Sequence, residues 1–248
     1  MSIFFNSNRE QKDYIKGKLN KTYPGFKSGG YFFRKYLKNY INNNSIVLDA
    51  GCGNKGIISE FKSIPRLIIG VDINKKLLSE NKIIDKKIVA DLESIPLDSN
   101  SVDVVISEFV LEHLRNPLRV FKETSRILKP KGVFIFITPN IINPLMALSK
   151  ILPYVFHKWL RRELLKKEEE THPAHYRANT YQELLKLGRA AGFYDCEIVR
   201  AGNPEYLGFC KPLVPVSIFF EKLIDNNFLN FFKMYLIGRF IKKYKEKK

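Results

Sequence analysis

The chain has 248 residues, 45% hydrophobic and 13% aromatic, with 42 Lys and Arg against 25 Asp and Glu for a formal charge of +17. That is enough for one sizeable core, so one α/β domain is the default; the charge favours an acidic partner (nucleic acid or an anionic membrane surface) or reflects lysines spread over a solvated surface. Three cysteines with no C-x-x-C pair and no cluster with the four histidines argue against a disulfide framework or a metal site, and a charged N-terminus with no run near ~20 apolar residues argues against a signal peptide or a membrane span, so a reducing cytoplasm is expected.

Residues 31–43, YFFRKYLKNYINN, read as an amphipathic helix ahead of the first strand. Short apolar runs rich in Val and Ile follow at 46–50 (IVLDA), 67–72 (LIIGVD), 87–91 (KIVAD), 102–107 (VDVVIS) and 133–138 (VFIFIT). Near-continuous apolar strands suit a parallel sheet covered on both faces. GIISEFK, from Gly56, reads as a helix after the first strand. Asn116-Pro117 offers an N-cap and a proline at the first helical position; Leu118, Phe121 and Leu128 mark that helix's face, and Pro130 stops it. Residues 141–162 combine large apolar side chains with five basic ones, counting His157, and 166–170 (KKEEE) form a charge run. Thr180 to Glu183 is a capping box, and Gly192 sits where a C-terminal cap belongs. FYDCEIVRAG (193–202) and MYLIGRFIKK (234–243) read as the last two strands, with the aromatic segment 212–232 between them. The alternation predicts a doubly wound sheet.

In VLDAGCGNKG (47–56), Gly51, Gly53 and Gly56 spell G-x-G-x-x-G, a spacing usually tied to dinucleotides. Glycine lets a backbone turn sharply and approach a ligand closely, and a helix N-terminus after the loop would favour phosphate. Asp49 is the objection. An acid at the strand tip repels phosphate and attracts an ammonium or sulfonium. Asp72 ends the second strand, where a carboxylate accepts from ribose hydroxyls in either kind of site. Asp91 ends the third strand, placed to accept from an adenine amino group, with Leu92 against the ring. Three acids at three strand tips fit S-adenosylmethionine, which carries cations and no phosphate.

Four stretches in order, VLDAGCGNKG (47–56), GVDIN (70–74), ADLESIPLDSNSVDVVISEFVLEHL (90–114) and RILKPKGVFIFITPN (126–140), resemble the successive motifs of class I S-adenosylmethionine-dependent methyltransferases. They are closest to the small-molecule methyltransferases, a group that includes ubiquinone-pathway enzymes. A weaker echo follows in HYRANTYQELLKLGRAAGF (175–193). The resemblance implies a Rossmann-like seven-stranded sheet, mostly parallel with an antiparallel last strand. It implies one domain over 1–248, made of an N-terminal helical segment (1–44), a cofactor-binding core (45–140), and acceptor-side or lid insertions at 141–180 and 203–233. It also implies cofactor contacts from Asp49, Gly51, Cys52, Gly53, Asp72, Ile73, Asp91, Leu92, Glu108 and Phe109. One departure stands out: Lys55 occupies the place of the family's third glycine, and Gly56 follows it.

Methyl transfer needs mainly an aligned acceptor, helped by a general base when that acceptor is a hydroxyl. His113 and His175 are the candidate bases, with His172 and Tyr176 beside them, each set against a structural role. Arg177 is expected to pair with an acidic acceptor group or with Glu183. No metal is implied. The tetrapeptide of amino-group DNA methyltransferases is replaced by SEFV (107–110), so a nucleic-acid substrate is disfavoured. The apolar and basic segments 141–162 and 212–232 suggest a lipid-linked or otherwise amphiphilic acceptor, a quinone precursor or a surface-glycan intermediate, with peripheral contact at an anionic inner membrane face. Packing of both segments as lid and core helices is the competing account. Two other functions stay open: an NAD-dependent oxidoreductase reading the glycine spacing literally, and a non-catalytic cofactor-binding relative.

Overall fold

The structure, a computed structural model, describes residues 7–151 and 173–243. Val- and Ile-rich runs form β1 Ile46–Ala50, β2 Leu67–Asp72, β3 Lys86–Val89, β4 Val102–Glu108 and β5 Leu128–Pro139. With β6 Phe193–Ala201 and β7 Tyr235–Lys242 they make one sheet in the order β3-β2-β1-β4-β5-β7-β6. β1 pairs in parallel with β2 and β4, β2 with β3, and β4 with β5. β7 runs against its neighbours. The Asn140 N–H, just past β5, donates to the Met234 carbonyl just before β7 (2.7 Å), while Lys242 Nζ at the far end reaches the Leu128 carbonyl (2.6 Å). The Lys243 N–H similarly meets the Gly192 carbonyl that precedes β6 (3.4 Å). The sheet is thus mostly parallel with an antiparallel last strand, as expected. Strand order reverses between β1 and β4, the place where doubly wound sheets open a crevice at their carboxyl ends.

The helices are α1 Asn8–Thr22, α2 Gly29–Tyr40, α3 Lys75–Glu80, α4 Pro117–Ile127, α5 Pro144–Ile151, α6 Tyr181–Ala190 and α7 Leu213–Leu223. The caps read from sequence form. Thr180 Oγ1 accepts from the Glu183 N–H (3.2 Å) and donates to the Glu183 carboxylate (2.9 Å), starting α6. Gly192 follows that helix with φ of +90°.

Three local expectations are corrected. GIISEF turns as a 3-10 helix over Ile57–Phe61, five residues rather than an α-helix, because Ile57, Ile58 and Phe61 are all drawn into the core. In α4 the buried side runs through Val120, Phe121, Thr124 and Ile127, leaving Leu118 exposed. Pro130 does not stop that helix, which ends at Ile127; it lies inside β5 at a register shift, where Leu128 pairs with Val102 and Val133 with Val104. The extra residues loop out there, Lys131 takes φ of +66°, and the missing proline N–H is not needed for a ladder.

The chain gathers into two compact units. One comprises, among the described residues, 30–139, 173–199 and 236–243 and holds most of the sheet. The other gathers, among the described residues, 7–29, 140–151 and 200–235, thus parts of the N-terminal helical segment and of both insertions. The charge run 166–170, His157, His172 and the rest of 152–172 lie outside the described residues.

The first unit centres on rings from four elements: Phe121 of α4, Phe134 and Phe136 of β5, Phe193 of β6 and Phe240 of β7. Neighbouring centroids lie 5.1–6.2 Å apart, mostly tilted or edge-on. Gly238 sits where any side chain would run into the Phe136 ring. Gly238→Ala is therefore expected to destabilise the fold by about 1–3 kcal/mol, the usual cost of overpacking, read as a lowered urea midpoint with an unchanged slope.

Candidate functional site

The site grows from the tip of β1. Gly51 (φ +78°) and Gly53 (φ +47°) bend the chain left-handedly just after Ala50, and a Cβ on Gly51 would collide with Val110. The N–H groups of Gly51 and Cys52 both donate to the Val71 carbonyl (2.8 and 3.3 Å), locking the loop onto β2. Asp72 finishes the attachment: its Oδ2 accepts from the Gly53 N–H and its Oδ1 from the Asn74 N–H, each at 2.8 Å. Asn81, fully buried, donates to the Gly53 carbonyl (3.1 Å) and more distantly to that of Cys52 (3.4 Å).

Beneath this loop lies negative charge. Asp49 is 3% exposed and has no ion pair among the described residues. Burial, then the Glu108 and Asp72 carboxylates, push its carboxyl up to about 8. Glu108, at the end of β4, accepts from the Ile57 N–H (2.8 Å), and burial raises its carboxyl as well. Gly56 is the neighbour of both acids: a Cβ there would stand 3.3 Å from Glu108 Oε2 and 3.6 Å from Asp49 Oδ2. Lys55 is exposed. Gly56, rather than residue 55, is the position next to both acids, where a side chain would crowd Glu108.

Other sequence-predicted residues fall around the same rim. β3 ends at Val89, so Asp91 belongs to the following loop rather than the strand; it is exposed, and its Oδ1 accepts from the Glu93 N–H (2.9 Å). Ile73 is 68% exposed beside Asp72, Leu92 packs half-buried on the core, and Phe109 (φ +55°) is 38% exposed just past β4. Cys52 is a buried thiol pushed upward by burial and by the nearby acids, which suits packing rather than chemistry. Acids suited to a cation, glycines suited to a backbone-close ligand and an exposed apolar side chain beside Asp72 together fit S-adenosylmethionine. A pyrophosphate over this loop would face Asp49 and Glu108.

One candidate base, His175, is held through its backbone by a residue that sequence reasoning passed over. Glu112, 6% exposed within a short 3-10 turn, accepts on its carbonyl from the N–H groups of His175 (2.7 Å) and Tyr176 (3.0 Å). Its Oε2 accepts from the Thr138 hydroxyl (3.1 Å), which in turn accepts from Asn179 Nδ2 (2.7 Å). Burial pushes Glu112 up to about 7. His113 Nδ1 lies 3.0 Å from the Pro173 carbonyl. A carbonyl only accepts, so this nitrogen carries the proton and Nε2 the lone pair in the neutral ring. Arg177 donates to the Arg115 carbonyl (2.8 Å), not to Glu183. The signal that marked Glu112 was an acid inside the apolar run FVLEHL.

Residues 48–136 match the family model described as a methyltransferase domain. A probable S-adenosylmethionine-dependent methyltransferase of Mycolicibacterium smegmatis is 31% identical over 131 residues, 50% of this chain and 51% of that protein. Residues 48–136 of this chain thus resemble an S-adenosylmethionine-dependent methyltransferase domain. An S-adenosylmethionine-dependent methyltransferase structure from Mesorhizobium loti superposes with a TM-score of 0.57 at 17% identity, covering 84% of this chain and 96% of that one. A malonyl-[acyl-carrier protein] O-methyltransferase of Marinomonas is 32% identical over 107 residues, 40% of this chain and 39% of that protein. The chain spans about half the length of the first curated relatives it matches.

Two buried acids of the first unit, Glu112 and Asp49, have raised values, so the stability they contribute is fully present below the ordinary carboxylate range. It is lost as pH climbs through about 7 for Glu112 and about 8 for Asp49. Without ligand, Asp49→Asn is expected to raise Tm above wild type by at least about 2 °C at pH near 8.5, with the gain fading near pH 5. Differential scanning calorimetry across pH checks both sign and window.

Proposed function

We propose that the protein is an enzyme that transfers a methyl group from S-adenosylmethionine to a small-molecule or lipid-linked acceptor. The observation that carries this reading is the set of three carboxylates, Asp49, Asp72 and Glu108, gathered around a glycine turn; Arg34 lies near Glu108, and buried Asp49 has no ion pair among the described residues. When bound, S-adenosylmethionine supplies an electrophilic methyl group on a positively charged sulfur. Asp49 and Glu108 favour positive charge in the crevice, where burial strengthens each interaction. Gly51, Gly53 and Gly56 let the backbone come close. Asp72 keeps lone pairs available to ribose hydroxyls while it holds the loop, and Asp91 with Leu92 and Ile73 frames the adenine end.

For the acceptor, His113 on the turn that follows β4 is the candidate base for a hydroxyl. A carboxyl acceptor, like that of the acyl-carrier-protein relative, needs no such base. The N–H groups of His175 and Tyr176 donate to the Glu112 carbonyl and so hold these two residues against the same turn.

Asp72→Ala is expected to weaken S-adenosylhomocysteine binding by about tenfold or more, since a ribose contact and a loop anchor disappear together; charged hydrogen bonds of this kind are worth roughly 1.5–3 kcal/mol. Calorimetry measures the affinity and circular dichroism checks the fold. In thermal shift, S-adenosylhomocysteine should raise wild-type Tm and NAD should not. Stabilisation by NAD alone would support the oxidoreductase reading instead.

A further inference from the structure

The second unit carries a surface that the methyl-transfer chemistry does not use. On α7, Val214, Ser217, Ile218 and Glu221 face inward, Val214 and Ile218 packing with Ile15 of α1. The outward side is also apolar. Val216, Phe219 and Leu223, spaced along one helical face, are 54%, 67% and 51% exposed, and Phe228 in the following turn is 86% exposed. Single exposed apolar residues are ordinary on soluble proteins; a contiguous row of large ones marks a binding surface.

The helix is fixed with this row outward. Glu221 is buried against Lys233 (3.2 Å) and accepts from the Asn203 N–H (2.9 Å). The Ser217 hydroxyl donates to the Pro204 carbonyl (2.7 Å). Rolling α7 to bury Phe219 would break all three contacts and expose a buried ion pair. The helix beside it is basic: Lys12, Lys16, Lys18 and Lys21 of α1 are exposed. Lys222 lies next to Leu223 in the row, its Nζ 5.7 Å from the ring centroid of Tyr23 at the end of α1. Nearby acids are few and partly engaged: Glu10 pairs with Lys211 (3.0 Å), Asp13 lies 3.9 Å from Arg9, and Asp225 lies 3.3 Å from Lys233. No helix among the described residues is long and apolar enough to cross a membrane, so the row suits a surface and not a span.

We infer that α7 lays Val216, Phe219, Leu223 and Phe228 into the interface of an anionic lipid bilayer, with the lysines of α1 and Lys222 against the headgroups. Large apolar side chains flanked by cations are the chemistry of interfacial binding. This deepens the proposed function by selecting the lipid-linked class of acceptor. It rests on that reading only for the acceptor, because lipid binding is measured without methyl transfer.

The test is co-sedimentation of the full chain with vesicles of phosphatidylcholine and phosphatidylglycerol, and with phosphatidylcholine alone, at about 50 mM and about 500 mM salt. Wild type should pellet with the anionic vesicles and lose most of that binding at high salt. A Phe219→Glu, Phe228→Glu double variant, both sites being exposed, should keep its Tm and its S-adenosylhomocysteine affinity while its vesicle partition falls about tenfold or more. Equal pelleting of variant and wild type, or no pelleting of wild type, would overturn the inference. A Phe219→Cys variant shielded from maleimide without vesicles would also overturn it, since the row would then be covered by the chain itself or by a second copy; sedimentation velocity tells these two apart. Loss of cofactor binding in wild type would strike the proposed function and leave the vesicle result standing.

Discussion

Negative charge buried under a glycine turn is the constraint on which the rest of the core depends. Asp49 sits almost out of solvent at the tip of the central strand, with the Asp72 and Glu108 carboxylates near it. Such an arrangement is unfavourable in isolation, because burial and like charge both oppose ionisation. A cation relieves it. The sheet makes the grouping unavoidable: β2, β1 and β4 are parallel neighbours, so the residues that finish them arrive at one edge. The stability that folding gives up at this edge is what a positively charged ligand recovers on binding, so strain in the empty site and affinity for the ligand share one physical origin.

The loop above the acids is built for close approach, and its parts come from distant stretches of chain. Asp72 and Asn81 hold it from one side, while Val110 forbids a side chain on Gly51 from the other. Gly56 matters for another reason than left-handed geometry. Its backbone is extended, and its lack of a side chain keeps the space beside Asp49 and Glu108 open. A lysine at position 55 is therefore compatible with the site.

Much of this was legible in the sequence. The five apolar runs became five strands because their Val and Ile content left few alternatives, and the acids at the tips of the first two, Asp49 and Asp72, mapped directly onto the crevice. The capping box at Thr180 was readable because its contacts span three residues. What was hidden depends on contacts far apart in sequence. The pull of Ile57, Ile58 and Phe61 into the core turned an apparent α-helix into a 3-10 turn. The Glu112–Thr138–Asn179 chain joins three separate segments, and no local pattern announces it. Pro130 misled because a breaker after a helix also fits a bulge within a strand.

The buried acid under the glycine turn makes a sharp demand on binding thermodynamics. The decisive measurement is calorimetric affinity for S-adenosylmethionine between about pH 6 and 9, in wild type and in Asp49→Asn, the variant removing any titration that belongs to the ligand. Wild-type affinity should rise with pH until it levels near the Asp49 value of about 8, and Asp49→Asn should bind about tenfold or more weakly at high pH without that rise. Equal affinities and parallel pH profiles for the two proteins would contradict the account.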